Sequence, residues 1–241
     1  MAHPQQQAFV AAIQAAFPAF FSAARVLEIG SLDINGSVRR HFAGCDYTGL
    51  DVGAGPGVDV VCQGQDYAAP DGAFDTVLSC ETMEHNPYWR ETFANMLRLA
   101  RPGGLVLMTC ATTGRREHGT GRTTPKDAPL IAWDYYANRT AADFRRAIAL
   151  PRHLSAWMFC ADVAFNDLFF AGFKAGALAP ANARATLRAI ARRYLFANLR
   201  NREALRKLLL IRLVGEERYF AGSLRPGRRA TSPSARPEVS P

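Results

Sequence analysis

The stretch RVLEIGSLDINGSVRRHF, residues 25–42, decides the fold. It is typical of a short apolar strand that ends in an acidic residue and a glycine, followed by a polar turn and a helix. Four further apolar runs follow it, separated by helical or turn segments: YTGLDV (47–52), VDVV (58–61), FDTVLS (74–79) and GLVLMTC (104–110). Because short strands that alternate with helices are joined by right-handed crossovers, the sequence predicts an α/β fold with a doubly wound parallel sheet.

Elements at both ends complete this sheet. Apolar residues at helical spacing from Phe9 to Phe21 predict an amphipathic helix that covers the sheet edge. A second helix is predicted to begin near Pro87 and to end before Pro102. The runs SAWMFCADVAF and DLFFAGFK flank Asn166, which predicts an antiparallel hairpin that closes the sheet.

The charge of the chain is uneven. Of the 29 Lys and Arg and 21 Asp and Glu, residues 1–173 hold 14 and 17 (net −3), and residues 174–241 hold 15 and 4 (net +11). The basic character therefore belongs to a C-terminal extension. We predict four parts: an N-terminal helix packing on the sheet (1–24), the main α/β domain (25–176), a basic helical extension (177–224) and a disordered tail (225–241).

Length and composition exclude several classes of protein. A chain of 241 residues with 49% hydrophobic content is neither a mini-protein nor wholly disordered. The five cysteines form no C-x-x-C pair, which favours reduced thiols in a cytoplasmic protein over a disulfide framework or a zinc site. No ligand cluster with metal-binding spacing is visible, so no metal site is predicted. The apolar stretch from Ala8 to Ala24 is too short for a membrane span, and no signal peptide is expected.

Acidic residues end the first two predicted strands. Glu28 is expected to face the crevice at the carboxyl ends of the strands, although a buried acid held by local donors explains it equally well. Asp51 follows Gly30 by about twenty residues, the distance at which an acid accepts hydrogen bonds from ribose hydroxyls. Val52 offers an apolar face to an adenine ring. Since Asp33 would repel a pyrophosphate, the sequence predicts a nucleoside ligand without phosphates.

Four motifs in order resemble those of class I S-adenosylmethionine-dependent methyltransferases of the type 11 kind: LEIGSLDINGS (27–37), YTGLDVGAGPGVDVVCQGQD (47–66), FDTVLSCETMEH (74–85) and LRLARPGGLVLMTC (97–110). With the hairpin, the resemblance extends to about residue 174. It implies a Rossmann-like seven-stranded sheet, parallel except for a C-terminal antiparallel hairpin strand, with extra C-terminal helices. It also implies S-adenosylmethionine as cofactor and S-adenosylhomocysteine as product.

The resemblance assigns eleven residues to the cofactor: Glu28, Gly30, Ser31, Asp33, Asp51, Val52, Gln63, Gly64, Ser79, Cys80 and Glu81. The first four would meet the methionine part, Asp51 and Val52 the ribose and adenine, and residues 79–81 the sulfonium and acceptor side. Gln63 stands where relatives commonly have an Asp, so adenine binding is expected to be weaker but retained. Ser31, Leu32 and Ile34 stand where further glycines are common, so we expect a differently shaped turn.

Two histidines are candidate catalytic residues, because a hydroxyl acceptor must lose its proton and a base accelerates this by about 10²- to 10⁴-fold. His85 follows the fourth strand, and His118 lies in the long loop 111–139. Either histidine could instead serve only the loop, His85 by holding it and His118 as part of a flexible surface. Trp133, Tyr135 and Tyr136 could stack on a sugar or aromatic acceptor, or pin the loop to the core.

The loop HGTGRTTPKDAP and the following WDYYANRT resemble a stretch in type 11 relatives that modify sugars, cell-surface glycans and natural products. This favours transfer to a hydroxyl of a sugar, glycan, glycolipid or natural product. The basic helices suit an anionic membrane surface, nucleic acid or a partner helix, and we rank RNA methylation below membrane-proximal glycan modification. A third alternative is a fold that binds the cofactor or a partner without catalysis, which the presence of both Glu28 and Asp51 disfavours.

Overall fold

In the computed structural model, which describes residues 3–220, seven strands form one sheet. The strands are β1 (Arg25–Ile29), β2 (Asp46–Asp51), β3 (Val60–Val61), β4 (Phe74–Cys80), β5 (Ala100–Ala111), β6 (Leu154–Asp162) and β7 (Asp167–Lys174). The α-helices are α1 (Pro4–Ala16), α2 (Trp89–Leu99), α3 (Ala141–Ala147), α4 (Leu150–His153), α5 (Ala183–Arg200), α6 (Arg202–Val214) and α7 (Glu216–Phe220). Short 3₁₀ turns lie at Pro18–Phe20, Val38–His41 and Pro125–Asp127.

The strand order is β3-β2-β1-β4-β5-β7-β6. The first five strands pair in parallel, and β7 is antiparallel to both β5 and β6. This arrangement confirms the predicted Rossmann-like, doubly wound sheet with its C-terminal antiparallel hairpin strand. The chain order reverses between β1 and β4, which pair with Ile29 opposite Ser79. Such a reversal opens a crevice at the carboxyl ends of the two strands.

The helix predicted after β1 is wrong, because the segment forms only the 3₁₀ turn Val38–His41. Asp33 accepts a hydrogen bond from the Gly36 N–H at 2.7 Å, and Gly36 has a φ of 117°. An aspartate-closed turn with a left-handed glycine interrupts helical geometry. Of the turn's residues only Val38 is buried, so this segment contributes little to the core.

The N-terminal helix lies on a face of the sheet, which corrects the prediction that it covers the edge. The Phe9 ring stacks on Phe169 of β7 at 4.8 Å between centroids, and Leu187 and Ile190 of α5 join the same buried cluster. On the opposite face Phe93 of α2 packs with other aromatic and aliphatic residues of a second cluster. Each fully buried aromatic or aliphatic side chain contributes about 1.5–3 kcal/mol, so the two clusters hold the sheet between its helices.

The two predicted basic helices correspond to α5 and α6, and α7 was not predicted. The first half of α5 packs on the core, whereas Leu195, Phe196 and Leu199 in its second half are exposed. Residues 225–241, predicted to be a disordered tail, lie outside the described residues. Between residues 3 and 220, no helix is both long and apolar enough to cross a membrane.

Candidate functional site

Two adjoining cavities lie at the carboxyl ends of β1, β2 and β4. Both are lined by Gly30, Asp51, Thr82, His85 and Ile131. These residues come from three strand ends and from the long loop that follows β5. The cleft therefore occupies the crevice that the strand order predicts.

Gly30 allows the chain to turn sharply at the end of β1. Its φ is +80°, and a side chain there would collide with Thr82. The N–H groups of Gly30 and Ser31 both donate to the Leu50 carbonyl, at 2.8 and 3.1 Å. The turn is thus fastened to β2, and only glycine combines this backbone conformation with the close contact to Thr82.

Asp51 is held by backbone donors at the end of β2. One carboxylate oxygen accepts from the Leu32 N–H at 3.0 Å, and the other accepts from the Val52 N–H at 2.8 Å. Burial raises the pKa of this carboxyl, and the two backbone hydrogen bonds act against that rise. Since a carboxylate offers about four lone-pair sites, the oriented group retains acceptor capacity for hydroxyl donors in the cleft.

The first cavity continues along Val52, Gln63 and Gly64. The Gln63 side-chain oxygen accepts a hydrogen bond from the Gln65 amide at 2.8 Å, which orients it. A side chain on Gly64 would approach within 2.6 Å of Ile29 Cγ2, so the backbone packs directly against the strand. This end of the cleft combines an apolar wall with an amide, as a planar base with an exocyclic amino group requires.

Six of the eleven residues predicted to bind the cofactor line the cavities: Gly30, Asp51, Val52, Gln63, Gly64 and Glu81. The other five do not: Glu28, Ser31, Asp33, Ser79 and Cys80. Cys80 packs in the buried cluster beneath α1, and Ser79 is fully buried. Asp33 serves the turn that it closes with Gly36.

Glu28 does not face the crevice as predicted. Its neighbours Leu27 and Ile29 pack in the cluster beneath α2, so strand alternation directs Glu28 to the opposite face. There its carboxylate accepts a hydrogen bond from the Tyr47 hydroxyl at 2.7 Å. Burial raises the pKa of Glu28 to about 7, although the Tyr47 hydrogen bond opposes the rise.

The loop of residues 112–139 covers the cleft. Asp127, Leu130, Ile131 and Trp133 line one or both cavities. The Trp133 indole N–H donates to the His85 carbonyl at 2.7 Å, so the loop is fixed to the end of the fourth strand. A loop of this length within a domain is uncommon unless it is functional, and here it forms a wall of the site.

The two predicted catalytic histidines are neighbours. The His85 and His118 rings lie 4.9 Å apart edge to face, and Tyr136 lies 5.3 and 5.0 Å from them. His85 lines both cavities, whereas His118 stands behind it and lines neither. Burial lowers the pKa of His85 to about 3 and also lowers the pKa of His118, so both rings are neutral at pH 7.

Two buried carboxylates lie beside the histidines. Glu81 accepts from the Thr109 hydroxyl at 3.0 Å, and Glu84 accepts from the Ala111 N–H at 3.1 Å. Burial raises the pKa of Glu81 to about 8, with repulsion from Glu84 adding to it, and burial raises the pKa of Glu84 to about 7. Glu84 was not predicted as a site residue. The E-x-x-E-H spacing within ETMEH was the available signal, since it places two acids and a histidine directly after β4.

Donor atoms of Glu84, His85 and His118 lie within 4.8 Å of one another. This juxtaposition was missed because His118 is separated from the other two by more than thirty positions. The loop 112–139 brings the three together when it folds over the end of β4.

The sequence model of a family described as a methyltransferase domain matches residues 1–155. Two solved structures of Haemonchus contortus phosphoethanolamine N-methyltransferase 2 are similar to the chain. One is in complex with S-adenosyl-L-methionine, with 15% identity and a TM-score of 0.51. The other is in complex with phosphomonomethylethanolamine and S-adenosylhomocysteine, with 15% identity and a TM-score of 0.50.

Each of these alignments covers 71% of this chain and 53% of the matched chain, so the chain spans about half the length of these relatives. A Burkholderia thailandensis 1,6-didemethyltoxoflavin-N1-methyltransferase is also similar, with 14% identity, a TM-score of 0.45, and coverage of 73% of this chain and 92% of that chain. A comparison with curated proteins gives no match. At 15% identity, the two Haemonchus contortus structures show a shared fold.

Proposed function

The chain belongs to the methyltransferase-domain family, and from this premise we propose that it transfers a methyl group from S-adenosylmethionine to a hydroxyl acceptor. The observation that carries the proposal is the placement of Gly30, Asp51, Val52 and Gln63 around one cleft at the carboxyl ends of β1 and β2. These four residues would contact different parts of a nucleoside bound in the cleft. The resemblance in sequence assigns them to the same cofactor.

The residues of the cleft fit this cofactor. Asp51 is oriented by two backbone donors and retains lone pairs for ribose hydroxyls. Val52 and the Gln63 amide supply an apolar wall and an acceptor for adenine. Gly30 leaves room at the turn beside Thr82, where a larger residue would fill the approach. Ser31 and Leu32 replace common glycines without closing the cleft, because the turn is fastened to Leu50 and Asp51.

Methyl transfer from a sulfonium is an in-line displacement, in which the cofactor supplies the electrophilic methyl group. The protein's work is then to align an acceptor oxygen and to exclude water. The loop 112–139 excludes water, because its residues Asp127, Leu130 and Trp133 close one side of the cleft. Burial lowers the pKa of His85 to about 3, so its neutral imidazole, which faces both cavities, is proposed to position the acceptor by a hydrogen bond.

We propose a sugar, glycan, glycolipid or natural-product hydroxyl as the acceptor. Polar and aromatic groups support this class, because Glu81, Asp127 and Trp133 line the side of the cleft next to His85. Polar rings with several hydroxyls bind such walls through hydrogen bonds and stacking on aromatic faces. His118 stands behind His85, so its proposed role is to support the His85 ring rather than to contact the acceptor.

The C-terminal helices support a contact with an anionic membrane surface. Exposed basic residues share α5 and α6 with exposed apolar ones: Arg184, Arg188, Arg192, Arg193, Arg200, Arg206 and Arg212 with Leu195, Phe196, Leu199, Leu209, Leu210, Leu213 and Val214. An anionic lipid surface would contact both kinds of residue, because its headgroups attract arginine side chains and leucine side chains insert at the boundary with the acyl chains. Nucleic acid would contact only the basic residues, through its phosphates, so RNA is kept as the alternative partner. The proposed location is the cytoplasmic face of the membrane.

Calorimetric titration with S-adenosylmethionine and S-adenosylhomocysteine tests the cofactor, and binding of both is expected. The absence of binding at millimolar ligand would contradict the proposed function. Co-sedimentation with vesicles tests the membrane contact. Vesicles with anionic lipid are expected to bind in a salt-sensitive way, whereas stronger binding to RNA than to these vesicles would favour RNA methylation.

A further inference from the structure

We infer that Glu84, His85 and His118 form a binding site for a divalent transition-metal ion on the acceptor side of the cleft. Their donor atoms already lie within 4.8 Å of one another. Donors bonded to one ion at about 2.1 Å stand roughly 3–3.5 Å apart, so the most distant pair must approach by up to about 1.5 Å. Because His118 lies on the covering loop, a shift of that loop can bring its ring closer to Glu84 and His85.

The strongest support comes from buried polar atoms that lack a partner. Across the part of the chain that the structure describes, Glu84 Oε2 and His85 Nδ1 are buried and make no hydrogen bond. Glu84 is fully buried and His85 is 3% exposed. Leaving such groups unsatisfied costs free energy, and a cation removes the cost by accepting their lone pairs. Glu81 Oε2 is likewise buried and unpartnered within residues 3–220, which adds a second carboxylate beside the cluster.

His118 has the orientation of a metal ligand. Its Nδ1 contacts the Arg116 carbonyl at 3.1 Å, and since a carbonyl only accepts, Nδ1–H is the donor. The neutral ring then carries its lone pair on Nε2. Metal-binding histidines commonly donate their other N–H to a carbonyl in this way, which fixes the tautomer.

Among residues 3–220, no basic side chain donates a hydrogen bond to the buried Oε2 atoms of Glu81 and Glu84. Arg115 is near enough to lower the pKa values of Glu81 and Glu84. Its guanidinium, however, donates to the Phe165 carbonyl at 2.8 Å and pairs with Asp167 at 3.3 Å. The unpartnered oxygens of the two glutamates therefore remain available to a bound cation.

The donor set indicates the class of ion. Two imidazoles and one carboxylate are the ligands of catalytic zinc sites and of non-haem iron sites, and they leave coordination positions open. Mg²⁺ and Ca²⁺ prefer oxygen ligands throughout. An ion in this place would hold an acceptor oxygen beside the cleft, a role that rests on the proposed function, whereas the binding of the ion does not.

The test uses the untagged full-length protein after treatment with a chelator. Co²⁺, as a coloured substitute for Zn²⁺, is titrated and followed by its visible absorption, and Zn²⁺ binding is measured by calorimetry. We expect one ion per chain without the near-ultraviolet absorption of a cobalt–thiolate bond. His118→Ala and Glu84→Gln should each weaken binding by more than about tenfold, and His153→Ala, which removes an exposed histidine on α4, should not.

Unchanged Co²⁺ affinity in His118→Ala, a thiolate spectrum, or no binding by the wild-type protein would overturn the inference. His118→Ala keeps the test decisive if Glu84→Gln does not fold, because His118 is on the loop and outside the core clusters. S-adenosylmethionine titration of the same samples separates the two proposals. Co²⁺ binding without cofactor binding would contradict the proposed function alone, and the reverse result would contradict the metal site alone.

Discussion

The Leu32 backbone N–H donates a hydrogen bond to the Asp51 carboxylate at 3.0 Å. This bond ties the turn after β1 to the end of β2, across the wall of the cleft. It also explains how a turn without the usual run of glycines keeps its shape. Asp51 therefore stabilises the turn, and its remaining lone pairs are those that the proposed ribose contact would use.

Asp51→Ala should lower the affinity for S-adenosylmethionine by about 10- to 100-fold, because hydrogen bonds to a charged acceptor contribute about 1.5–3 kcal/mol. Asp59→Ala is the matched control. Asp59 also accepts from a backbone donor, the Gly49 N–H at 2.7 Å, but it lines neither cavity. Calorimetry measures affinity, and thermal unfolding verifies that both variants are folded. Equal affinities of the two variants would remove Asp51 from the cofactor site.

Glu28→Gln should make stability less dependent on pH. The folded pKa of Glu28 is raised to about 7 from a usual value of 4.5, so the folded state holds its proton more tightly than the unfolded chain does. The contribution of Glu28 to the stability of the wild type should therefore fall as the pH rises from about 4.5 to about 7 and then level off. The glutamine variant has no carboxyl to ionise at this position, so its free energy of unfolding should exceed that of the wild type by up to about 3 kcal/mol at pH 8.

Urea unfolding of the wild type and Glu28→Gln at pH 5, 6, 7 and 8 measures the difference directly. Other buried acids, such as Glu81 and Asp167, also have raised pKa values, but they are common to both proteins and cancel in the comparison. A constant difference between the two proteins across this range would contradict the assigned pKa of Glu28.

The fold was predictable because its signals are local. Apolar runs located β1, β2, β4 and β5 to within a few residues, and a strand-end acid located Asp51. The orientation of Glu28 could not be predicted in the same way. Successive residues of a strand alternate between the two faces of the sheet, but only the register of the strand decides which face is which. Glu84 could not be predicted as a site residue for a related reason: its partners are distant in sequence. Its carboxylate accepts from the Ala111 N–H, 27 positions later, and its carbonyl accepts from the Ala137 N–H in the loop.

Gly119→Ala should lower the free energy of unfolding by about 1–3 kcal/mol. Gly119 has a φ of +68°, and an added Cβ would lie 2.7 Å from both the His85 ring and Ala128. Gly121→Ala, in the same loop, is the control, since its nearest neighbour would be Asp134 at 3.8 Å. Urea unfolding should place Gly121→Ala within about 0.5 kcal/mol of the wild type. Equal effects of the two substitutions would mean that the loop does not pack on His85 as described.

Glu216→Ala should loosen the loop over the cleft, although Glu216 lies about a hundred positions from Gly114 in the sequence. One Glu216 oxygen accepts from the Gly114 N–H and from the Asn138 amide, both at 2.6 Å. Losing bonds worth about 1 kcal/mol or more should raise the population of the open loop at least about fivefold. Trypsin, which cuts after the loop residues Arg116, Arg122 and Lys126, reports that population when opening is fast.

The neighbouring substitution Glu217→Ala is the control for Glu216→Ala, because Glu217 is exposed on the same short helix α7. Glu217→Ala removes a similar charge and should leave the cleavage rate unchanged. Glu216→Gln retains a side-chain acceptor and should restore most of the protection. If both alanine variants were cut equally fast, the charge of α7 rather than the Glu216 hydrogen bonds would hold the loop. Faster cleavage confined to Glu216→Ala would show that the Glu216 hydrogen bonds help to hold the loop 112–139 closed, beside the bond from Lys207 of α6 to the Gly114 carbonyl.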